Sequence, residues 1–198
     1  VNLGGGVISA GGFGVEIDSN DSLMEANIDG MSSISSTGSN AVDANASVGA
    51  DLTVNLSNST VSGAVDSVAI TTAGSSSVTA NMTGNTLSSS SGEAVDVNAS
   101  GSALYFNSTG DTVASAGNDG FKVETASNIA SNVTISNATI NNVANDGVEV
   151  DTTGSSTMNF QLDNSSIINA GLRSADLAAS DTSSLRAILY NNNMDNTW

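Results

Sequence analysis

The chain contains no cysteine and no histidine. Without thiols it has neither a disulfide framework nor a thiolate site, and without imidazole it lacks the commonest general base and metal ligand. Basic side chains are nearly absent as well: 3 Lys and Arg stand against 20 Asp and Glu, a formal charge of −17 over 198 residues. Such a surface repels nucleic acid and anionic membranes and attracts cations, so no nucleic-acid partner is expected. No apolar run approaches the ~20 residues of a transmembrane helix, so this segment is not expected to insert in a membrane. No signal peptide is visible. Aromatic residues make up only 4%, and such a Ser-, Asn-, Thr- and Gly-rich composition by itself points towards disorder.

A repeat overrides that impression. Asn118–Ala144 opens with Asn-Asp-Gly, continues with Phe121-Lys122-Val123 and Val133-Thr134-Ile135, and closes on Asn137 and Ile140. Asn145–Gly171 follows the same plan with Val148-Glu149-Val150, Phe160-Gln161-Leu162, Asn164 and Ile167. The leading residue recurs as Val15, Val42, Val68, Val95, Phe121, Val148 and Ala175, and the closing one as Ile34, Val61, Leu87, Val113, Ile140, Ile167 and Met194. Steps of 26 or 27 residues with alternation inside each run have the strand period, and a fixed period of this length signals a solenoid. The expected fold is therefore all-β, about seven coils of three short strands with little or no helix, over 1–198 as one solenoid. Stacking at ~4.8 Å makes it roughly 35 Å long. Val7 or Ile8 is expected to close a partial coil ahead of the first. Coil one is the least regular, with one extra residue between Ile28 and Ile34.

Three residues before each closer from coil two onward stand Asn58, Gly84, Gly110, Asn137, Asn164 and Asn191. Asn and Gly tolerate a left-handed backbone, which makes a sharp corner, and stacked amides can hydrogen-bond along the array. A second polar column runs through Thr60, Thr86, Thr112 and Thr139.

These residues resemble the right-handed parallel β-helix, or pectin-lyase-like, superfamily, whose mark is an Asn ladder in the tight turn between the second and third strands. The resemblance covers the whole chain but concerns architecture. It implies a right-handed helix whose corner before the first sheet commonly builds the ligand groove. The superfamily includes polysaccharide lyases and hydrolases, phage tailspikes and the passengers of adhesins and autotransporters, so architecture alone does not choose a function.

More than half of the 20 acids gather around the first strands. Two before the leading residue lie Asp66, Glu93, Asp119 and Asp146; one or three after it lie Glu16, Asp18, Asp43, Asp96, Glu124, Glu149 and Asp151. Stacked carboxylates repel by roughly 1 kcal/mol in water and several at a protein surface. Screening on an exposed solvating face is one answer, and Lys122 pairing within its column with Asp96 and Glu149 is another. A third is Ca2+ held by Asp96, Asp119, Glu124, Asp146, Glu149 and Asp151, all oxygen donors. Ten Asn-x-Ser/Thr sequons follow largely from composition.

The uniform turns fit a structural or adhesive rod of a bacterial surface or secreted protein, extracellular and with its receptor unread. Binding or degradation of a polysaccharide is the alternative, the latter as a lyase or glycosidase with Glu93, Asp96, Asp119 and Asp146 as paired acids and Arg173 or Lys122 beside them. Val7, Val15 and Ile17 at one end and Leu189, Met194 and Trp198 at the other are periodic core residues. They imply either continuation within a longer protein or end-to-end stacking into a fibre.

Overall fold

A computed structural model describes residues 1–101 and 103–195. Among them 21 strands and no helix are present. Every strand pairing is parallel, and the chain winds as a solenoid of about seven coils.

The first strands are Val15–Asn20, Val42–Ser47, Val68–Thr72, Val95–Ala99, Phe121–Thr125, Val148–Thr152 and Ala175–Ala179. They form a seven-stranded sheet in sequence order, with each leading residue opposite the next. The second and third strands of all coils join into one 14-stranded sheet, because Leu23–Ser36 of coil one runs through the corner as a single strand.

Alternation explains the packing. In Phe121–Thr125, Phe121, Val123 and Thr125 are buried while Lys122 and Glu124 are not, as a period of two dictates. The second strands carry three inward columns where the sequence pattern shows two. Leu56, Met82, Ser108, Ile135 and Leu162 form one, and Val54, Ala80, Phe106, Val133 and Phe160 the next. Leu52, Val78, Leu104, Ser131 and Met158 make the unforeseen third, because these strands begin two residues earlier than the apolar runs suggest. Phe106 and Phe121 meet edge to face across the core at 6.3 Å.

At the ends the structure chooses between two alternatives, places the extra residue of coil one and corrects one expectation. Val7 does not close the partial coil: a register shift between Gly6 and Val7 puts Ile8 opposite Ile34 and leaves Val7 70% exposed. The extra residue of coil one sits at its corner, where left-handed Gly30 precedes buried Met31. Ile17 is buried, but Leu189 and Met194 lie on the outermost coil and are 44% and 37% exposed. Trp198 falls outside the described residues.

Candidate functional site: two polar corners

All six predicted corner residues are left-handed, with φ between 49° and 69°. Their side chains, however, are not the continuous ladder expected. One amide bond joins two of them, from Asn191 Nδ2 to Asn164 Oδ1 at 2.7 Å, while Asn58 reaches Asp29 instead. The inward ladder is built by the following residue, Ser59, Asn85, Asp111, Ser165 and Asn192, in every one of these coils except that of Asn137, where Ala138 contributes only its N–H, accepted by Ser165 Oγ. Asn85 Oδ1 accepts the Ser59 N–H at 3.0 Å, Asp111 Oδ1 accepts the Asn85 N–H at 2.7 Å, and Asn192 Oδ1 accepts the Ser165 N–H at 2.9 Å. A left-handed residue turns the next side chain back into the coil, where it satisfies the peptide N–H of the coil beside it.

Asp111 is the outlier of that ladder. Its carboxyl is fully buried, accepting from Ser108 Oγ at 2.6 Å and from Asn85 Nδ2 at 2.9 Å, with no ion pair to it among the described residues. Burial raises its pKa although these hydrogen bonds oppose the shift.

The opposite corner, leading into the first sheet, carries the acids. The column two residues before the leading ones, for which a solvating face is one of three readings, is largely internal: Asp66, Asp119 and Asp146 are each no more than 6% exposed. The cause is again backbone satisfaction. Asn40 Oδ1 accepts the Asp66 N–H, Asp66 Oδ1 accepts the Glu93 N–H, and Asp119 Oδ1 accepts the Asp146 N–H, at 3.1, 2.9 and 2.8 Å. The glycine of Asn-Asp-Gly belongs to the same packing, since a Cβ on Gly147 would lie 2.6 Å from the Ser174 carbonyl oxygen.

Three groups of carboxylates result, each with donor oxygens within 4.8 Å of one another: Asp66, Glu93 and Asp96; Asp119, Asp146 and Glu149; Glu124, Glu149 and Asp151. All six sequence-derived cation candidates therefore enter a group, and Asp66 and Glu93 join them. The first two groups use equivalent positions two coils apart. In the second, Arg173 neutralises Asp146 through Nε at 3.1 Å and Nη2 at 2.9 Å, and reaches Asp176 at 2.7 Å. Lys122 pairs at 3.2 Å with Glu124, two residues along its own strand, rather than with Asp96 or Glu149.

The first group has no such partner among the described residues, and Asp96 Oδ1 is buried without a hydrogen bond. Burial, then the proton shared with Glu93, pushes Asp66 up to about 7. Burial and the charge of Glu93 lift Asp96 to about 6. Burial and the hydrogen bond with Asp119 push Glu149 up to about 7, and burial also raises Asp119. An open groove of about 520 Å3 adjoins the third group, lined by Asn98, Glu124, Asp151, Thr153 and Ser180.

Chemically, these groups can share protons or hold a hard cation through oxygen ligands. Comparison of the chain with protein-family models, characterised proteins and solved structures finds no match.

Proposed function

We propose that this solenoid is the structural rod of a bacterial surface or secreted protein, working outside the cell as a spacer or adhesive shaft. The reading takes the right-handed β-helical shafts of adhesin and autotransporter passengers as its architectural analogue. The observation that carries the reading is uninterrupted register: the leading residue of each first strand stays opposite the next over seven coils, and every corner is short. An array in which each repeat contacts only its neighbours is quasi-one-dimensional and grows in length with each coil. X-ray scattering from the 198-residue chain should give a rod with an axial length of roughly 35 Å, and a compact, isotropic particle would overturn the reading.

Calcium at the acidic corner is part of the proposal. Asp66, Glu93 and Asp96 crowd three carboxyls with no ion pair among the described residues, and Asp119, Glu149, Glu124 and Asp151 crowd more. A divalent ion would replace the shared protons, offset the repulsion and brace consecutive coils. Melting at pH 8 should rise with millimolar calcium and fall with chelator at matched ionic strength. An unchanged melting temperature would remove calcium and leave the rod.

A hydrolytic reading draws on one feature, the carboxyls raised towards neutrality beside Glu93, since a general acid needs that property. Release of reducing ends from a polysaccharide panel, abolished by Asp96→Asn, would establish it in place of the rod.

A further inference from the structure

The outer face of the 14-stranded sheet carries a strip that contrasts with the rest of this anionic molecule. The two central outward columns of the second strands run Thr53, Thr79, Tyr105, Asn132, Asn159, Arg186 and Asn55, Asn81, Asn107, Thr134, Gln161, Ile188. From coil two to coil seven these columns contain no carboxylate, although the chain carries 20. The amides are held in fixed orientations by one another: Asn27 to Asn2, Asn55 to Asn27, Asn81 to Asn55 and Asn107 to Asn81 at 2.8, 2.7, 2.9 and 3.2 Å, and Asn159 to Asn132 at 3.1 Å. Parallel stacking sets the residues on a grid of roughly 4.8 by 6.6 Å.

Two features project from the grid. Tyr105, 49% exposed, stands directly in line with Asn132 and Asn159. Beyond it a shallow groove of about 120 Å3 runs between Asn132, Asn159 and Arg186 on one wall and Thr134, Gln161 and Ile188 on the other. Arg186 has no carboxylate within ion-pairing distance among the described residues, whereas Lys122 and Arg173 are both engaged.

We propose that this strip binds a neutral glycan laid along the solenoid axis, with Tyr105 as the platform for a sugar ring and the groove holding the next residues. Amides and hydroxyls offer donor and acceptor together, as sugar hydroxyls do. A tyrosine gives a rigid apolar face with a polar tip at little conformational cost. Arg186 adds donors to hydroxyl oxygens. A polyanionic glycan fits less well, because the −17 field of the chain opposes its approach. The surface adds a binding face to the proposed rod and shares no residue with the acidic corner, so it stands or falls separately from calcium.

The test is calorimetric titration of the 198-residue chain with hexasaccharides of β-1,4-linked glucose, mannose, galactose and xylose, and with hexagalacturonate as the anionic comparison. At least one neutral hexasaccharide should bind. Tyr105→Ala should weaken it by about tenfold or more, Tyr105→Phe should retain it, and Asn159→Ala and Arg186→Ala should each weaken it. Glu16→Gln, exposed on the first sheet and outside the carboxylate groups, should leave it unchanged. Circular dichroism verifies that these outward substitutions keep the fold. Failure of every neutral hexasaccharide to bind overturns the proposal, as does binding indifferent to Tyr105→Ala or tighter binding of hexagalacturonate. Thermal hysteresis of freezing without glycan binding would assign the strip to ice and equally overturn it.

Discussion

Asp111 shows how one buried carboxyl sets a pH response. Its neighbours in the ladder, Asn85 and Asn192, use an amide Nδ2 to donate to the Leu56 and Leu162 carbonyls, a bond a carboxylate cannot make. Because burial raises the folded pKa of Asp111, the native state holds its proton more tightly than the unfolded chain. Stability from this group is thus greatest below its unfolded pKa of about 4 and is lost as pH rises through the folded value. Asp111→Asn should raise the melting temperature at pH 8 and flatten this part of the pH dependence. Ser108→Ala alone should destabilise by about 1–3 kcal/mol, since it strands Asp111 Oδ2 in the core. In the Asp111→Asn background the same change should cost less, a non-additivity measurable by denaturant titration of the four proteins. Val48 carries a backbone strain of its own: it is a β-branched residue at φ 54°, 64% exposed. Val48→Asn should stabilise by about 1 kcal/mol in the same titration, because only the backbone penalty changes.

Among the strands, the first sheet was the most legible in the sequence. Val15, Val42, Val68, Val95, Phe121, Val148 and Ala175 were found by period alone and are aligned as expected, because apolar side chains can be buried only if the step matches one full coil. Phe121→Ala in the middle of that sheet should cost about 3–5 kcal/mol, removing a ring packed against Phe106 as well as buried area. A similar truncation of Leu189, 44% exposed on the last coil, should cost far less. Circular dichroism melts of the two variants compare them directly. The corners were legible only in part. Left-handed residues announce themselves as Asn or Gly, whereas the residue that faces inward after them is Ser, Asn, Asp or Ala and has no compositional mark. The outer Asn ladder from Asn2 to Asn107 was likewise hidden, because steps of 25, 28, 26 and 26 residues look irregular until the register shift and the extra residue of coil one are placed.

For the whole molecule, charge dominates the response to solution conditions. With −17 and three clusters of carboxylates among the described residues, the native state concentrates negative charge more than the unfolded chain does. Sodium chloride should therefore raise the melting temperature at pH 8. In chelator, melting should also fall between pH 5 and pH 8, as Asp66, Asp96 and Glu149 lose protons near 6 to 7 that the folded state holds and the unfolded chain does not. Calcium should reverse the fall at pH 8 and do little at pH 5, where protons occupy the same oxygens. A melting temperature that climbs steadily with pH in chelator would contradict this assignment of the acids.

Length of the period, strand type and the inward residues of the first and third strands were set by the sequence on its own, because burying apolar side chains on a fixed step aligns them coil upon coil. Tertiary structure alone decided what the polar residues do. Whether Asp66 and Asp119 dissolve the surface or cap the peptide groups of the next coil depends on side-chain direction at a corner, which no period encodes. Whether Lys122 faces Asp96, Glu149 or Glu124 depends on rotamers reaching a few ångströms across neighbouring strands. The carboxylate-free strip around Tyr105 exists because two columns, scattered through the chain 25 to 28 residues at a time, come to lie side by side on one face.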